Sequence, residues 1–297
     1  MRSRPPVTVG ELFRFAVRRF ERSNLHFGHG THTARDEAGY LILHGLGLPL
    51  DSIAAYVQRE LTAAERRRLE SLIERRIARR LPAAYLTHEA WLGNLSFYVD
   101  RRAIIPRSFI AELLREKLKP WLPRPARRIL DLCTGSGCLA VLAANAWPGA
   151  RVDAADISTP ALAVARRNVA RYRLTRRIRL VQSDLYSALE GERYDLIVCN
   201  PPYVTSAAMR KLPTEYRYEP RLALAGGHDG LDAVRRIIDE AAGHLAPHGT
   251  LVCEIGRSRR ALERAYPAAP FIWPELSSES GHVFVIQREQ LPKARAA

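Results

Sequence analysis

The sequence predicts an α/β fold: a doubly wound, mainly parallel, seven-stranded sheet with an antiparallel last strand, plus a small N-terminal helical domain. Three observations predict it. After Arg128, short apolar runs suited to strands alternate with stretches of helical periodicity. The chain before residue 89 shows helical periodicity alone. The last two strand-like runs are joined by Ser277 to Gly281, too short for a crossover helix, so they should pair antiparallel. With 297 residues, 47% hydrophobic and 26% charged, the chain can bury such a core. That composition excludes disordered, collagen-like and disulfide-stapled classes.

Taken in order, Thr8-x-x-Glu11 is a capping-box pattern opening a helix with Leu12, Phe13, Ala16, Val17 and Phe20 at helical spacing. Thr62-x-x-Glu65 opens another, with Leu69, Leu72, Ile73 and Ile77, ended by Pro82. Between them, residues 35–46 and 51–60 read as shorter helices, so residues 1–88 should form a bundle with its own core. At Glu89 the period changes, and Ala90-Trp91-Leu92 and Leu95 to Val99 flank the turn pair Gly93-Asn94. A hairpin linker is expected over 89–107. Ser108 then N-caps a helix carrying Ile110, Leu113 and Leu114, opening a third region, 108–297. Its strands are expected at 129–133, 151–156, 178–184, 194–200, 250–255, 271–276 and 282–287. Helices near 138–146, 159–172, 230–244 and 258–265 separate most of them.

Forty-six Lys and Arg against 31 Asp and Glu give a formal charge of +15, which favours a polyanionic partner or neighbour without identifying it. Cys133, Cys138, Cys199 and Cys253 form no Cys-x-x-Cys pair, so reduced thiols in a cytoplasmic protein are expected and a zinc site is not. His26, His29 and His32 have no adjacent carboxylate or thiol and read as ordinary loop residues; no metal is expected. The apolar runs are too short for a membrane span, and residues 1–6 carry no secretory signal pattern.

The chemistry-bearing residues cluster at predicted strand ends. The first strand runs into Asp131-Leu132-Cys133-Thr134-Gly135-Ser136-Gly137-Cys138, and glycines in such a strand-to-helix turn let a ligand approach the backbone. Asp156 ends the second strand, where a carboxylate can accept from both hydroxyls of a ribose. Asp184 ends the third and is placed to meet an adenine edge, with Ile157 packing on the ring face. Gly135-x-Gly137-x-x-Ala140 also satisfies the nicotinamide fingerprint, so this site leaves NAD and S-adenosylmethionine both open.

The fourth strand ends in Asn200-Pro201-Pro202-Tyr203. Two successive prolines fix φ twice, holding the Pro201 carbonyl rigid, and the Asn200 side chain supplies a second acceptor. Two acceptors match the two N–H bonds of a planar NH2 group, on whose face the Tyr203 ring can stack. Such a clamp would favour a more tetrahedral nitrogen as a new bond forms, which an amide nitrogen with a delocalised lone pair otherwise resists. No general base is obvious in the motif, so positioning and electrostatics should carry the rate, the proton leaving after transfer.

With the glycine loop and Asp156, Asn200 to Tyr203 resembles S-adenosylmethionine-dependent methyltransferases acting on planar amino groups, either adenine bases or glutamine amides. Phe97-Tyr98-Val99-Asp100, Ile105-Pro106-Arg107-Ser108, Asp131 to Cys138 and Glu219 to Gly230 resemble the protein N5-glutamine methyltransferases, in the branch acting on large-subunit ribosomal protein three. That resemblance spans nearly the whole chain. It implies that Cys133 to Gly137 bind the methionine end of the cofactor, Asp156 the ribose, Asp184 the adenine region, and Asn200 to Tyr203 the substrate amide. Cys133 stands where many methyltransferases have the loop's first glycine. It also implies that the N-terminal helices recognise a protein substrate. The arginines 166, 167, 171, 173, 176, 177 and 179 form a run without an acid, read as a solvated helix face or as a contact for ribosomal RNA. The competing readings are a release factor as substrate, an adenine methyltransferase on nucleic acid, a nicotinamide-dependent oxidoreductase, which leaves Asn200 to Tyr203 without a role, and a non-enzymatic ribosome-binding or assembly protein retaining the fold.

Overall fold

A computed structural model describes residues 7–122, 124–276 and 281–292. The connection at 277–280 and the N-terminal residues 1–6 therefore lie outside the described residues. Two compact units form: one from the chain up to Ala90 together with Pro213–Tyr218, the other from Trp91–Leu212 and Glu219 onward.

The first unit holds α1 (Val9–Arg22), α2 (Ala34–Leu46), α3 (Ala63–Arg79) and α4 (Ala83–Thr87). Both capping boxes form, Thr8 with Glu11 and Thr62 with Glu65, each satisfying backbone donors that a helix start leaves orphaned. Leu12, Phe13, Phe20, Leu41, Ile42, Leu69 and Ile73 are buried in one core. The helix expected over 51–60 shrinks to a single 3-10 turn, Ile53–Tyr56. The reason is long-range: Val57 and Arg59 give their carbonyls to the Gly10 and Val9 N–H groups, and Leu61 N–H donates back to Val7. Those bonds pull residues 57–61 out of helical register.

Charge is buried in this unit. Arg76, itself 1% exposed, donates to Glu37 (2.5 Å) and to the His26 carbonyl (3.0 Å). Glu215 accepts from the His26 N–H (3.0 Å) and pairs with Arg80 (2.9 Å). The His26 and His29 rings tilt against Tyr216. A six-residue piece of the segment after the fourth predicted strand of the sheet is thus built into the helical unit.

The second unit is the sheet. After the hairpin β1 (Glu89–Leu92) and β2 (Leu95–Tyr98) come α5 (Ile110–Arg115), β3 (Arg128–Leu132), α6 (Cys138–Ala146), β4 (Arg151–Asp156), α7 (Thr159–Arg171) and β5 (Ile178–Gln182). They are followed by β6 (Tyr194–Cys199), α8 (Ser206–Met209), α9 (Asp232–His244), β7 (Leu245–Glu254), α10 (Arg259–Ala265) and β8 (Val283–Gln287). The strand order is β5-β4-β3-β6-β7-β8, every pair parallel except β7–β8. Alternation along β3 feeds both faces: Ile129 packs in the cluster with α5 and α6, Leu130 and Leu132 in the one with α9.

The sheet among the described residues has six strands, where seven were expected. Residues 271–276 make one antiparallel bridge, Ile272 with Val285. The next N–H on that edge, two residues on, would belong to Pro274, which has none, so the ladder stops after one rung. No described helix is long and apolar enough to cross a membrane.

Candidate active site

Strand order reverses between β3 and β6, and the crevice outside the carboxyl ends at such a switch point is where open α/β sheets bind ligands. A cavity of about 290 Å³ lies there. Of the residues singled out from sequence, Cys133, Gly135, Asp156, Ile157, Asp184, Asn200 and Pro202 line it. Thr134, Ser136, Gly137, Pro201 and Tyr203 are not among its lining residues.

Four of those five have structural partners, and the fifth, Pro201, is buried. Thr134 Oγ1 donates to Asp131 (2.5 Å), and the Ser136 carbonyl accepts from Asn168 Nδ2 (2.8 Å). Gly137 caps α6 at φ 78°, and a Cβ there would stand 3.1 Å from that of Ala165. The Tyr203 hydroxyl donates to Glu254 Oε1 (2.7 Å) at the end of β7.

Asp131 braces the loop from below. Its Oδ2 accepts from Thr134 and from the Ala140 N–H (2.9 Å), tying the end of β3 to the first turn of α6, while Oδ1 has no partner among the described residues. Burial, with the Asp156 carboxylate adding to it, pushes its carboxyl up to about 7. Asp156 accepts from Gly135 N–H and Ser158 N–H, both at 2.8 Å, and makes no ion pair among the described residues. Burial raises its pKa from the ordinary carboxylate value. Held by backbone donors alone, it keeps lone pairs for hydroxyl donors in the cavity. Ala155, Ile157, Leu185 and Ala233 supply apolar wall. This donor set and lining fit an adenosine-bearing cofactor such as S-adenosylmethionine.

Asp184 differs from expectation in its company. Arg236 of α9 grips both its oxygens (3.0 and 3.1 Å), and both side chains are about half exposed at the cavity. Sequence reasoning missed Arg236, which stands in an ordinary helical pattern. It also missed Glu254, and it had Glu219 only within the stretch Glu219 to Gly230, without the bonds it accepts from Ile105 N–H (3.0 Å) and from both terminal nitrogens of Arg107 (2.6 and 2.8 Å). A signal existed for Glu254: it closes the apolar run Leu251-Val252-Cys253 just as Asp156 and Asn200 close theirs.

The methyltransferase small domain matches residues 110–215 and the PrmC N-terminal domain residues 11–87. The chain is 54% identical to the ribosomal protein uL3 glutamine methyltransferase of Neisseria meningitidis serogroup B, over 96% of this chain and 94% of the relative. It is 52% identical to the protein of that name from Bordetella pertussis, over 96% of each. The Bradyrhizobium diazoefficiens protein of that name is 45% identical, over 96% of this chain and 92% of its own. Among solved structures, the hMettl16 catalytic domain superposes with a TM-score of 0.52 at 17% identity, covering 80% of this chain and 87% of that one, a likeness of fold.

Proposed function

The chain belongs to the family of ribosomal protein uL3 glutamine methyltransferases, and from that premise we propose that it methylates the side-chain amide nitrogen, N5, of a glutamine in ribosomal protein uL3. The observation that carries the reading is that Asn200 and Pro202 border the same cavity as Gly135 and Asp156, in a chain so closely related to those enzymes. S-adenosylmethionine, when bound, supplies an electrophilic methyl group.

The protein's residues do the rest. Asp156 holds ribose hydroxyls, the loop from Cys133 to Gly137 faces the methionine end, and Asp184 with Arg236 borders the adenine end. Asn200 Oδ1 and the Pro201 carbonyl each accept one N–H of the glutamine amide, orienting its nitrogen and favouring the tetrahedral geometry of bond formation. The nitrogen that Asn200 and Pro201 orient would take the methyl of bound S-adenosylmethionine, the thioether being the leaving group and the surplus proton passing from the nitrogen to water, since the motif supplies no base. Positioning in a largely apolar crevice supplies the rate.

The basic run divides. Arg167 lies over the Tyr98 ring (3.6 Å), Arg171 donates to Ser96, Arg177 to three backbone carbonyls, and Arg179 to Asp153. Arg166, Arg173 and Arg176 are exposed and make no ion pair among the described residues. These three are the residues we assign to contact with ribosomal RNA during assembly.

The test offers purified protein and labelled S-adenosylmethionine to newly made uL3, a class-one release factor and DNA in parallel, with the modified residue mapped by mass spectrometry. Label on one glutamine of uL3 alone supports the reading. Label on the release factor keeps the chemistry and overturns the substrate. Label on adenine overturns both.

A further inference from the structure

Glu254 ends β7 with 1% of its surface exposed, and three donors converge on it. The Tyr203 hydroxyl reaches Oε1 (2.7 Å), while the Ser108 hydroxyl (2.6 Å) and the Phe109 N–H (3.1 Å) reach Oε2. These three donors favour the carboxylate form, against the burial that raises its pKa from the ordinary value. The Tyr203 ring lies against Gly256, where a Cβ would stand 2.8 Å from both Cδ2 and Cε2, so the ring has room only because that position is glycine.

The motif Asn200 to Tyr203 is therefore held at both ends. Its start is fixed by β6, where Cys199 is in register with Leu132 of β3 and Cys253 of β7. Its end is held in the backbone by the bridge from Val204 to Ala225 and in the side chain by the ring's seat on Gly256 and by the Tyr203 hydroxyl, which sets where the ring points. The two prolines stiffen what lies between. The acceptors meant for the amide, Asn200 Oδ1 and the Pro201 carbonyl, sit on the stretch between the two anchors.

We propose that Glu254 is a positioning residue for methyl transfer, acting through the Tyr203 hydroxyl to fix the orientation of the Asn200–Pro201 acceptor pair. This rests on the amide-transfer reading above and names a further residue for it. Ser108 and the Phe109 N–H hold the carboxylate so that Oε1 faces Tyr203. Because misorientation of a reacting group by about 1 Å can cost on the order of a hundredfold in rate, a single hydroxyl tether is enough to matter.

The test compares wild type, Glu254→Gln, Tyr203→Phe and the double variant. Methyl transfer to uL3 is measured alongside S-adenosylmethionine affinity by calorimetry, with folding checked by circular dichroism. Each single variant should lower kcat by about 10- to 100-fold and leave the cofactor Kd within about threefold. The double variant should be no worse than the poorer single by more than about threefold, because Gln at 254 weakens and Phe at 203 removes one and the same link. Full kcat in folded Glu254→Gln, or losses that multiply in the double variant, would overturn the proposal. Should Glu254→Gln fail to fold, Tyr203→Phe carries the kinetic test alone. A 3-fluorotyrosine placed at 203 reads the tether without any substrate: its fluorine resonance shifts on Glu254→Gln, and an unchanged resonance overturns the tether. Wild type that leaves uL3 unlabelled overturns the function instead, and the fluorine measurement still decides whether Glu254 tethers Tyr203.

Discussion

Replacing Asp131 by Asn should remove a pH dependence of stability that this one carboxyl creates. The folded group titrates at about 7, against 3.8 in an unfolded chain, because it is fully buried and its Oδ1 has no donor among the described residues. A raised carboxyl stabilises the fold fully below the unfolded value and loses that contribution as pH climbs through the folded one, since the folded state then holds the extra proton. A difference of roughly 3 pH units at about 1.4 kcal/mol each gives about 4 kcal/mol in all, of which about 3 kcal/mol is lost between pH 5 and 8. Asn keeps an oxygen for Thr134 and Ala140 and places an unpaired NH2 where Oδ1 stands, at a fixed cost of about 1–3 kcal/mol. The variant should thus be the weaker protein at pH 5 and draw level with wild type, or pass it, by pH 8. Urea unfolding at four pH values, followed by tryptophan fluorescence, isolates the right unit, because Trp91, Trp121, Trp147 and Trp273 all belong to the sheet unit. Parallel pH profiles for the two proteins would refute the reasoning.

Asp156→Asn should raise the S-adenosylmethionine Kd by about 10- to 100-fold, since a charged acceptor facing two hydroxyls is replaced by a neutral one; calorimetry showing an affinity within about threefold would remove Asp156 from the cofactor site. Cys133 is a non-glycine residue at φ 56°, so Cys133→Gly should relieve roughly 1 kcal/mol of backbone strain, read as a higher urea midpoint, and a midpoint lower by that amount would assign the thiol's packing the larger share. Glu215→Ala should leave Arg76 and Arg80 short of a buried partner and cost the helical unit about 3–5 kcal/mol. Hydrogen exchange should then speed up in α1 and α3, while the tryptophan signal of the sheet unit holds; unchanged protection in both helices would argue against a structural role for that glutamate.

The parts of the site that were legible share a physical signature. Asp156 and Asn200 each follow buried apolar residues at the carboxyl end of a parallel strand, and both border the cavity there. Capping boxes were equally readable because all their partners lie within three residues. Residues 271–276 have the apolar content of a strand, but Pro274 lacks the N–H that a second rung needs. Glu215 was opaque for a different reason. Its partner Arg80 is 135 residues away, and an aperiodic segment with several charges does not say which glutamate turns inward.

The same obstacle hid the link between two stretches that carried the resemblance separately. Arg107 in Ile105-Pro106-Arg107-Ser108 clasps Glu219 of Glu219-Pro220-Arg221 with both terminal nitrogens, and the next residue, Ser108, donates to Glu254. One five-residue stretch, 105–109, is therefore pinned by two buried glutamates. Of these, Glu254 also holds Tyr203, which ends Asn200 to Tyr203, and Glu219 leads into Pro220 and Leu222 on the cavity wall. What reads along the chain as three separate motifs is joined in space into one brace, through Arg107 on Glu219 and through Ser108 and Tyr203 on Glu254.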